Sequence, residues 1–311
     1  MPQDHNHDHD HADHHHHDHA PADYGWTFAI ATALNIALVI GQVVFGLYAN
    51  SLALLADAGH NFGDVLGLLL AWGAFAIAGW RPNARYTYRM HGASILAAFA
   101  NGVILLVATG AIVWEAVQRF SHPEEVASGT VIALAALGVV INGFSAYLLS
   151  RGSQSDINMR GAFLHMLADA GVSVAVIVAA VGIRLTGWQW LDPAASLLIA
   201  AVIFGGTWNL LREALRLSLN AAPREIDPAA VQRYLEALPE VAGLHDLHIW
   251  AMSTTETALT CHIITPAGHP GDAFLQRVAD ELHHKFDIGH ATLQIELGAT
   301  GNCALAPDDV V

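Results

Sequence analysis

The sequence predicts an all-α membrane bundle of six transmembrane helices, followed by a C-terminal cytoplasmic α+β domain, ferredoxin-like in outline, in the order α-β-β-α-β. Three observations carry this expectation. Hydrophobic residues make up 54% of the 311 residues and charged residues only 13%, against about 25% charged in a soluble domain. The apolar residues are gathered into six long runs separated by short polar punctuation. The charge is segregated as well: residues 1–23 hold six acids and no bases, 24–216 nine acids and nine bases, and 217–311 thirteen acids and four bases. An acidic head and an acidic tail thus flank a neutral, hydrophobic body.

Residues 1–23 carry nine of the 20 histidines and almost nothing apolar. Such a segment cannot bury a core, so it is expected to be a disordered metal-collecting tail centred on His14 to His17. The body, 24–216, divides into spans near Thr27–Tyr48, Leu54–Ala78, Ala93–Val113, Val126–Leu149, Gly161–Ile183 and Ala194–Leu215. Each has about the 20 residues that a helix needs to cross a bilayer core, and lipid leaves their backbone amides no alternative to helix. Orientation follows from the arginines at the span ends. Arg81, Arg85, Arg89, Arg151, Arg160, Arg212 and Arg216 lie at the second, fourth and last junctions, and only Arg119 and Arg184 at the others. That bias places both termini in the cytoplasm. From 217 to 297 the pattern becomes that of a water-soluble domain. Asp227 is placed to cap a helix, two strand-like runs (LHDLHIWAM and ETALTCHIIT) follow, then GDAFLQRVADELHHKF as a helix and HATLQIEL as a strand. Residues 298–311 read as a flexible tail.

Composition also excludes. A net charge of −15 argues against a nucleic-acid partner, since phosphate contacts need a basic surface. Two cysteines are too few for a disulfide scaffold or a four-cysteine zinc ribbon.

Ionisable side chains inside the spans are informative, because each charged one costs about 2.5–3.5 kcal/mol at mid-membrane unless it is partnered. The second span carries Asp57, His60 and Asp64, and the fifth carries His165 and Asp169. His60/Asp64 and His165/Asp169 repeat one His-x-x-x-Asp pattern, a spacing that puts both side chains on one helix face. Two imidazoles and two carboxylates from facing helices can close a tetrahedron around Zn²⁺. Imidazole suits zinc, cobalt and related ions, and disfavours Mg²⁺ and Ca²⁺. Protons compete for the same ligands, since metal binding needs neutral His and ionised Asp. Asn35 and Gln42 share a face of the first span, where they either line a wet cavity or hydrogen-bond across helices. Asn101 and Asn142 are the other polar residues noted in the third and fourth spans. Asp57, three residues before His60 on the same face, is expected to support the ligands or to serve the helix end rather than to ligate.

The segments SLALLADAGHNFGDV, YRMHGASILAAFANGVILL, MRGAFLHMLADAGVS and LDPAASLLIAA resemble the cation diffusion facilitator family, in its zinc-, cobalt- and cadmium-transporting branch, over about Gly25 to Glu296. The resemblance implies a proton-coupled antiporter that exports Zn²⁺ by alternating access, as a homodimer in a lipid bilayer, with no organic cofactor. It implies a transport site at His60, Asp64, His165 and Asp169. It also implies a structural or regulatory metal in the cytoplasmic domain, held at positions matching His245, His262 and Glu296, with Cys303 where relatives place terminal cysteines. The family often carries an acid where Gln42 stands, so a proton role at that position is in doubt here. Strand alternation sets His262 opposite Leu259, Cys261 and Ile263, free to ligate while Cys261 packs. His245 has the parity of Leu247 and Ile249, which counts against it unless the strand begins after it. Arginine usage points to a bacterial inner membrane. Competing expectations are a zinc metalloenzyme, disfavoured because a catalytic zinc wants an open position and a separate base, and a membrane metal sensor without transport.

Overall fold

The computed structural model describes residues 24–80, 82–150, 157–298, 303 and 305. The tail expected at 1–23, with His14 to His17, lies outside the described residues, as does most of 298–311. Six helices come first: α1 (Tyr24–Tyr48), α2 (Leu52–Ala78), α3 (Ala93–Ser121), α4 (Ser128–Ser150), α5 (Ile157–Thr186) and α6 (Leu191–Ser218). Helices α2 to α6 are each long and apolar enough to cross a membrane, and the described side chains of α1 add an apolar stretch over Thr32–Tyr48. Their outward faces carry large exposed apolar side chains such as Trp72, Val107, Trp114 and Val178, as a lipid-facing surface requires.

Inside, α4 packs along α5, while α3 packs along both α6 and α2. The buried seam is built from small and branched residues, including Ala53, Ala56, Val131, Ala135, Val176 and Ala180, which let helix backbones approach closely. One end of the bundle is fastened by a polar clasp. The buried Asp192 at the start of α6 accepts hydrogen bonds from Ser51 Oγ (2.5 Å) and from the backbone N–H groups of Leu52 (2.7 Å) and Ala53 (3.3 Å). It therefore satisfies the free amides at the start of α2 from another helix. Beside it, Arg119 donates to Asn50 O (2.7 Å) and Asn50 Oδ1 (2.8 Å) and lies 3.2 Å from Glu124. These contacts draw the end of α3 helical past Val113, where the apolar pattern weakens, to Ser121.

The C-terminal domain runs α7 (Pro228–Glu236), β1 (Gly243–Ala251), β2 (Thr257–Ile264), α8 (Asp272–Phe286) and β3 (His290–Glu296). Asp227 caps α7 through Ala229 N–H at 3.0 Å, with Pro228 at the first helical position. The sheet order is β1-β2-β3, with β1 and β2 antiparallel and β2 and β3 parallel. Val231 and Leu235 of α7 and Val278 and Leu282 of α8 pack with Leu259, Cys261 and Ile263 of β2 in the domain core.

Candidate metal centres

In the bundle, α2 and α5 turn their His-x-x-x-Asp faces toward each other. The close contacts are mostly between helices. His60 Nε2 lies 3.0 Å from Asp169 Oδ1, and His165 Nε2 lies 3.3 Å from Asp64 Oδ2 and 3.7 Å from Asp169 Oδ2. One ligand atom each from His60, Asp64 and Asp169 falls within a mutual 4.8 Å. The fourth expected residue, His165, borders this trio, its ring edge-on to that of His60 with centroids 6.1 Å apart. The four side chains differ in burial: Asp169 is fully enclosed, His60 largely so, and Asp64 and His165 are the accessible pair. With His165 turned in beside the trio, two imidazoles and two carboxylates would make up an N₂O₂ donor set of the kind zinc takes.

Behind this set lies a polar network that sequence reasoning only partly anticipated. Asp57 faces Gln42 and Ser173, accepting at Oδ2 from Gln42 Nε2 (2.6 Å) and Ser173 Oγ (2.9 Å). Gln42 Oε1 in turn accepts from Asn61 Nδ2 at 3.1 Å. Gln42 thus hydrogen-bonds across helices, the second of its two expected uses. All four side chains are buried, and together they tie α1, α2 and α5 directly beneath the ligands. Asn61 and Ser173 were not singled out from the sequence; their signal was their position beside His60 and one turn beyond Asp169.

In the C-terminal domain, His245, His262, Glu296 and Cys303 each offer a ligand atom within a mutual 4.8 Å. His262 Nδ1 lies 3.0 Å from Glu296 Oε1 and 3.5 Å from Cys303 Sγ, and His245 Nε2 lies 3.5 Å from Glu296 Oε2. The parity objection to His245 is removed by a bulge. The ladder shifts between His245 and His248, with Asp246 at φ 53°, so His245 pairs directly with His262 and their rings meet at 5.1 Å. Both ring nitrogens of His245 are buried without a hydrogen-bond partner among the described residues. A buried imidazole that makes no hydrogen bond is costly, and a metal ion is a partner that would relieve it. The two histidines, one carboxylate and one thiol fit a tetrahedral zinc site. Burial works upward on Glu296, but Cys303 and the two histidines hold its carboxyl below the ordinary value. Cys261, by contrast, points into the core, where burial and then Asp246 push its thiol up to about 12.

Fold and sites together define a multi-pass integral membrane protein with a bundle that presents metal-ligand chemistry and a small appended α+β domain. The chain belongs to the cation efflux family of membrane transporters: residues 28–217 match the cation efflux transmembrane domain and residues 223–297 the cytoplasmic domain of cation efflux proteins. Among curated relatives, the metal cation efflux system protein CzcD of Cupriavidus metallidurans is 38% identical over 86% of this chain and 85% of its own. The zinc transporter ZitB of Escherichia coli is 37% identical over 86% and 85%, and the cadmium, cobalt and zinc/H(+)-K(+) antiporter of Bacillus subtilis 34% identical over 84% and 85%. A solved structure, the metal-bound C-terminal domain of the CzcD transporter from Cuprividus metallidurans, is 40% identical over 23% of this chain and 100% of that one, with a TM-score of 0.22. These relatives are named as transporters rather than enzymes.

Proposed function

We propose that the protein is a homodimeric, proton-coupled antiporter of a bacterial inner membrane that exports Zn²⁺, and also Co²⁺ and Cd²⁺, from the cytoplasm through His60, Asp64, His165 and Asp169. The observation that carries this reading is that two identical His-x-x-x-Asp pairs of α2 and α5 face each other inside the bundle, with His60, Asp64 and Asp169 in one cluster and His165 3.3 Å from Asp64. The cargo sheds its water for two imidazoles and two carboxylates, a set that discriminates against the hard ions Mg²⁺ and Ca²⁺. Protons occupy the same atoms when the metal leaves, so loading and unloading are mutually exclusive and one site serves both ions. Gln42, Asp57, Asn61 and Ser173 hold the ligand-bearing faces of α2 and α5 in register, as hydrogen-bonded supports do around metal ligands. His245, His262, Glu296 and Cys303 of the cytoplasmic domain would hold a second ion, which when bound supplies a crosslink between β1, β2 and the chain after β3. Names given to the relatives support zinc, cadmium and cobalt as cargo and a proton as counter-ion.

The test is zinc flux into proteoliposomes under an imposed pH gradient. His165→Ala and Asp169→Ala each remove a ligand and are expected to cost more than the ~10–100-fold lost when only an outer support is removed. Undiminished flux in either variant, with wild-type protein as reference, rejects the site.

A further inference from the structure

Two cavities lie where the bundle meets the C-terminal domain, and they share a wall. The inner one, about 540 Å³, is bounded by small residues of α2 and α3, among them Gly67, Ala74 and Ala98, by Leu210 of α6 and, near its mouth, by Arg89. The outer one, about 710 Å³, borders Glu213, Glu225, Glu256 and Asp287 together with Lys285 and His284. Ala98, Leu210 and the β1–β2 turn, Ser253 to Glu256, line both. The inner cavity reaches Gly67, which is one helical turn, roughly 4.5 Å of rise, beyond Asp64 on the same face of α2. At that depth it also meets Asn101, which is buried and whose Oδ1 has no hydrogen-bond partner among the described residues. A Cβ at Gly67 would come within 3.0 Å of the Asn101 amide, so the glycine keeps this inner end open.

The shared turn is pinned to the bundle at two points. His91 Nδ1 lies 2.6 Å from Glu256 Oε2, and Thr254 N–H donates to Ser94 Oγ at 3.1 Å. Both bundle partners stand at the start of α3, and both domain partners belong to the turn. The C-terminal domain thus forms part of the wall of a cavity leading toward the candidate transport site.

We propose that these two cavities are the passage by which a hydrated divalent cation reaches Asp64 from the cytoplasm, and that the turn Ser253 to Glu256 is its gate, latched by His91 and Ser94. This rests on the reading of His60, Asp64, His165 and Asp169 as the transport site. Glu225 and Asp287, the acids of the outer cavity that make no ion pair among the described residues, draw cations to the entrance. Asn101 Oδ1 offers a carbonyl oxygen to the water shell of an ion about to enter. An apolar void filled by lipid tails has no use for an unpaired amide oxygen at its inner end or for a hydrogen-bonded turn at its mouth.

The passage is tested with full-length protein in vesicles whose C-terminal domain faces the bath, using a membrane-impermeant cationic thiol reagent. Ala98→Cys places a thiol in the shared wall; Ala100→Cys, exposed on the same helix and outside both cavities, is the control. Treated Ala98→Cys is expected to lose most of the zinc flux that identically treated wild type and Ala100→Cys, which carry the same Cys303, retain. Adding His91→Ala or Glu256→Ala should speed modification of the introduced thiol about tenfold or more, the effect of removing one hydrogen bond to a charged group. Flux in Ala98→Cys that is insensitive to the reagent, or equal inhibition of both cysteine variants, overturns the passage. An unchanged modification rate in both latch variants overturns the gate. His165→Ala in the same vesicles separates the readings. Flux lost there while Ala98→Cys stays insensitive rejects the passage and leaves the site standing, whereas flux retained there rejects the site and the passage with it.

Discussion

At the scale of the residue, the two cysteines have opposite surroundings and opposite expected behaviour. Cys261 is 1% exposed, and its thiol, pushed up to about 12 by burial, carries almost no thiolate at pH 8, the form that reacts. Cys303 is only half-buried and sits 3.5 Å from His262 Nδ1. Treatment of the native protein with iodoacetamide at pH 8 should therefore add one label per chain, at Cys303, and saturating zinc should suppress even that one by engaging the sulfur. Mass mapping of the label settles the matter: modification of Cys261 would overturn its enclosure in the core, and labelling of Cys303 at the same rate with and without zinc would remove the thiol from the proposed second site. The sequence showed Cys261 as a core residue through strand alternation. It left Cys303 open, because a residue beyond the last strand has no periodicity to place it. Alternation alone counted against His245, which the family resemblance kept as a ligand, since a bulge with one residue at positive φ resets the face and leaves no apolar signature.

At the scale of the element, the six spans were legible because lipid imposes a length and a polarity that no other part of the chain shares. Their ends were not. The run expected over Ala93–Val113 continues as helix to Ser121, held by Arg119 and its contacts to Asn50, which lies 69 positions away in the chain. Asp192 was similarly silent: it was visible as the acid of LDPAAS, yet its partners on Ser51, Leu52 and Ala53 are about 140 positions distant. Because this carboxylate closes the start of α2, the helix that carries His60 and Asp64, Asp192→Ala leaves two backbone amides and a hydroxyl unsatisfied in a buried setting. The expected loss is about 2–3 kcal/mol of stability, the scale of hydrogen bonds to a charged group. It is read as a lowered midpoint of thermal unfolding in detergent, and Asp192→Asn should recover part of it. A midpoint unmoved in Asp192→Ala would mean that α2 is fixed by packing alone.

At the scale of the whole molecule, His60 pairs across helices with Asp169 and His165 with Asp64; on the proposed reading these pairs would hold metal and proton as alternatives at one place, which has a thermodynamic consequence. A carrier with one shared site can hold a zinc gradient no steeper than its proton exchange allows. One pH unit is worth about 1.36 kcal/mol per proton, and the same energy sustains about a tenfold concentration ratio. At zero membrane potential, one proton per zinc therefore limits accumulation to about tenfold for each pH unit, and two protons to about a hundredfold. The two exchanges also differ in charge: two protons for one Zn²⁺ move no net charge, whereas one proton leaves the transport cycle sensitive to voltage. Vesicles prepared without K⁺ on either side, with an acidic lumen and the C-terminal domain outward, should accumulate zinc in their lumen to one of these ratios. They should release it when a protonophore collapses the pH gradient at clamped potential. Accumulation that persists after the collapse, or that appears only when a K⁺ gradient is supplied, would show that the counter-ion is not the proton and that the His-Asp pairs of α2 and α5 do not alternate between the two loads.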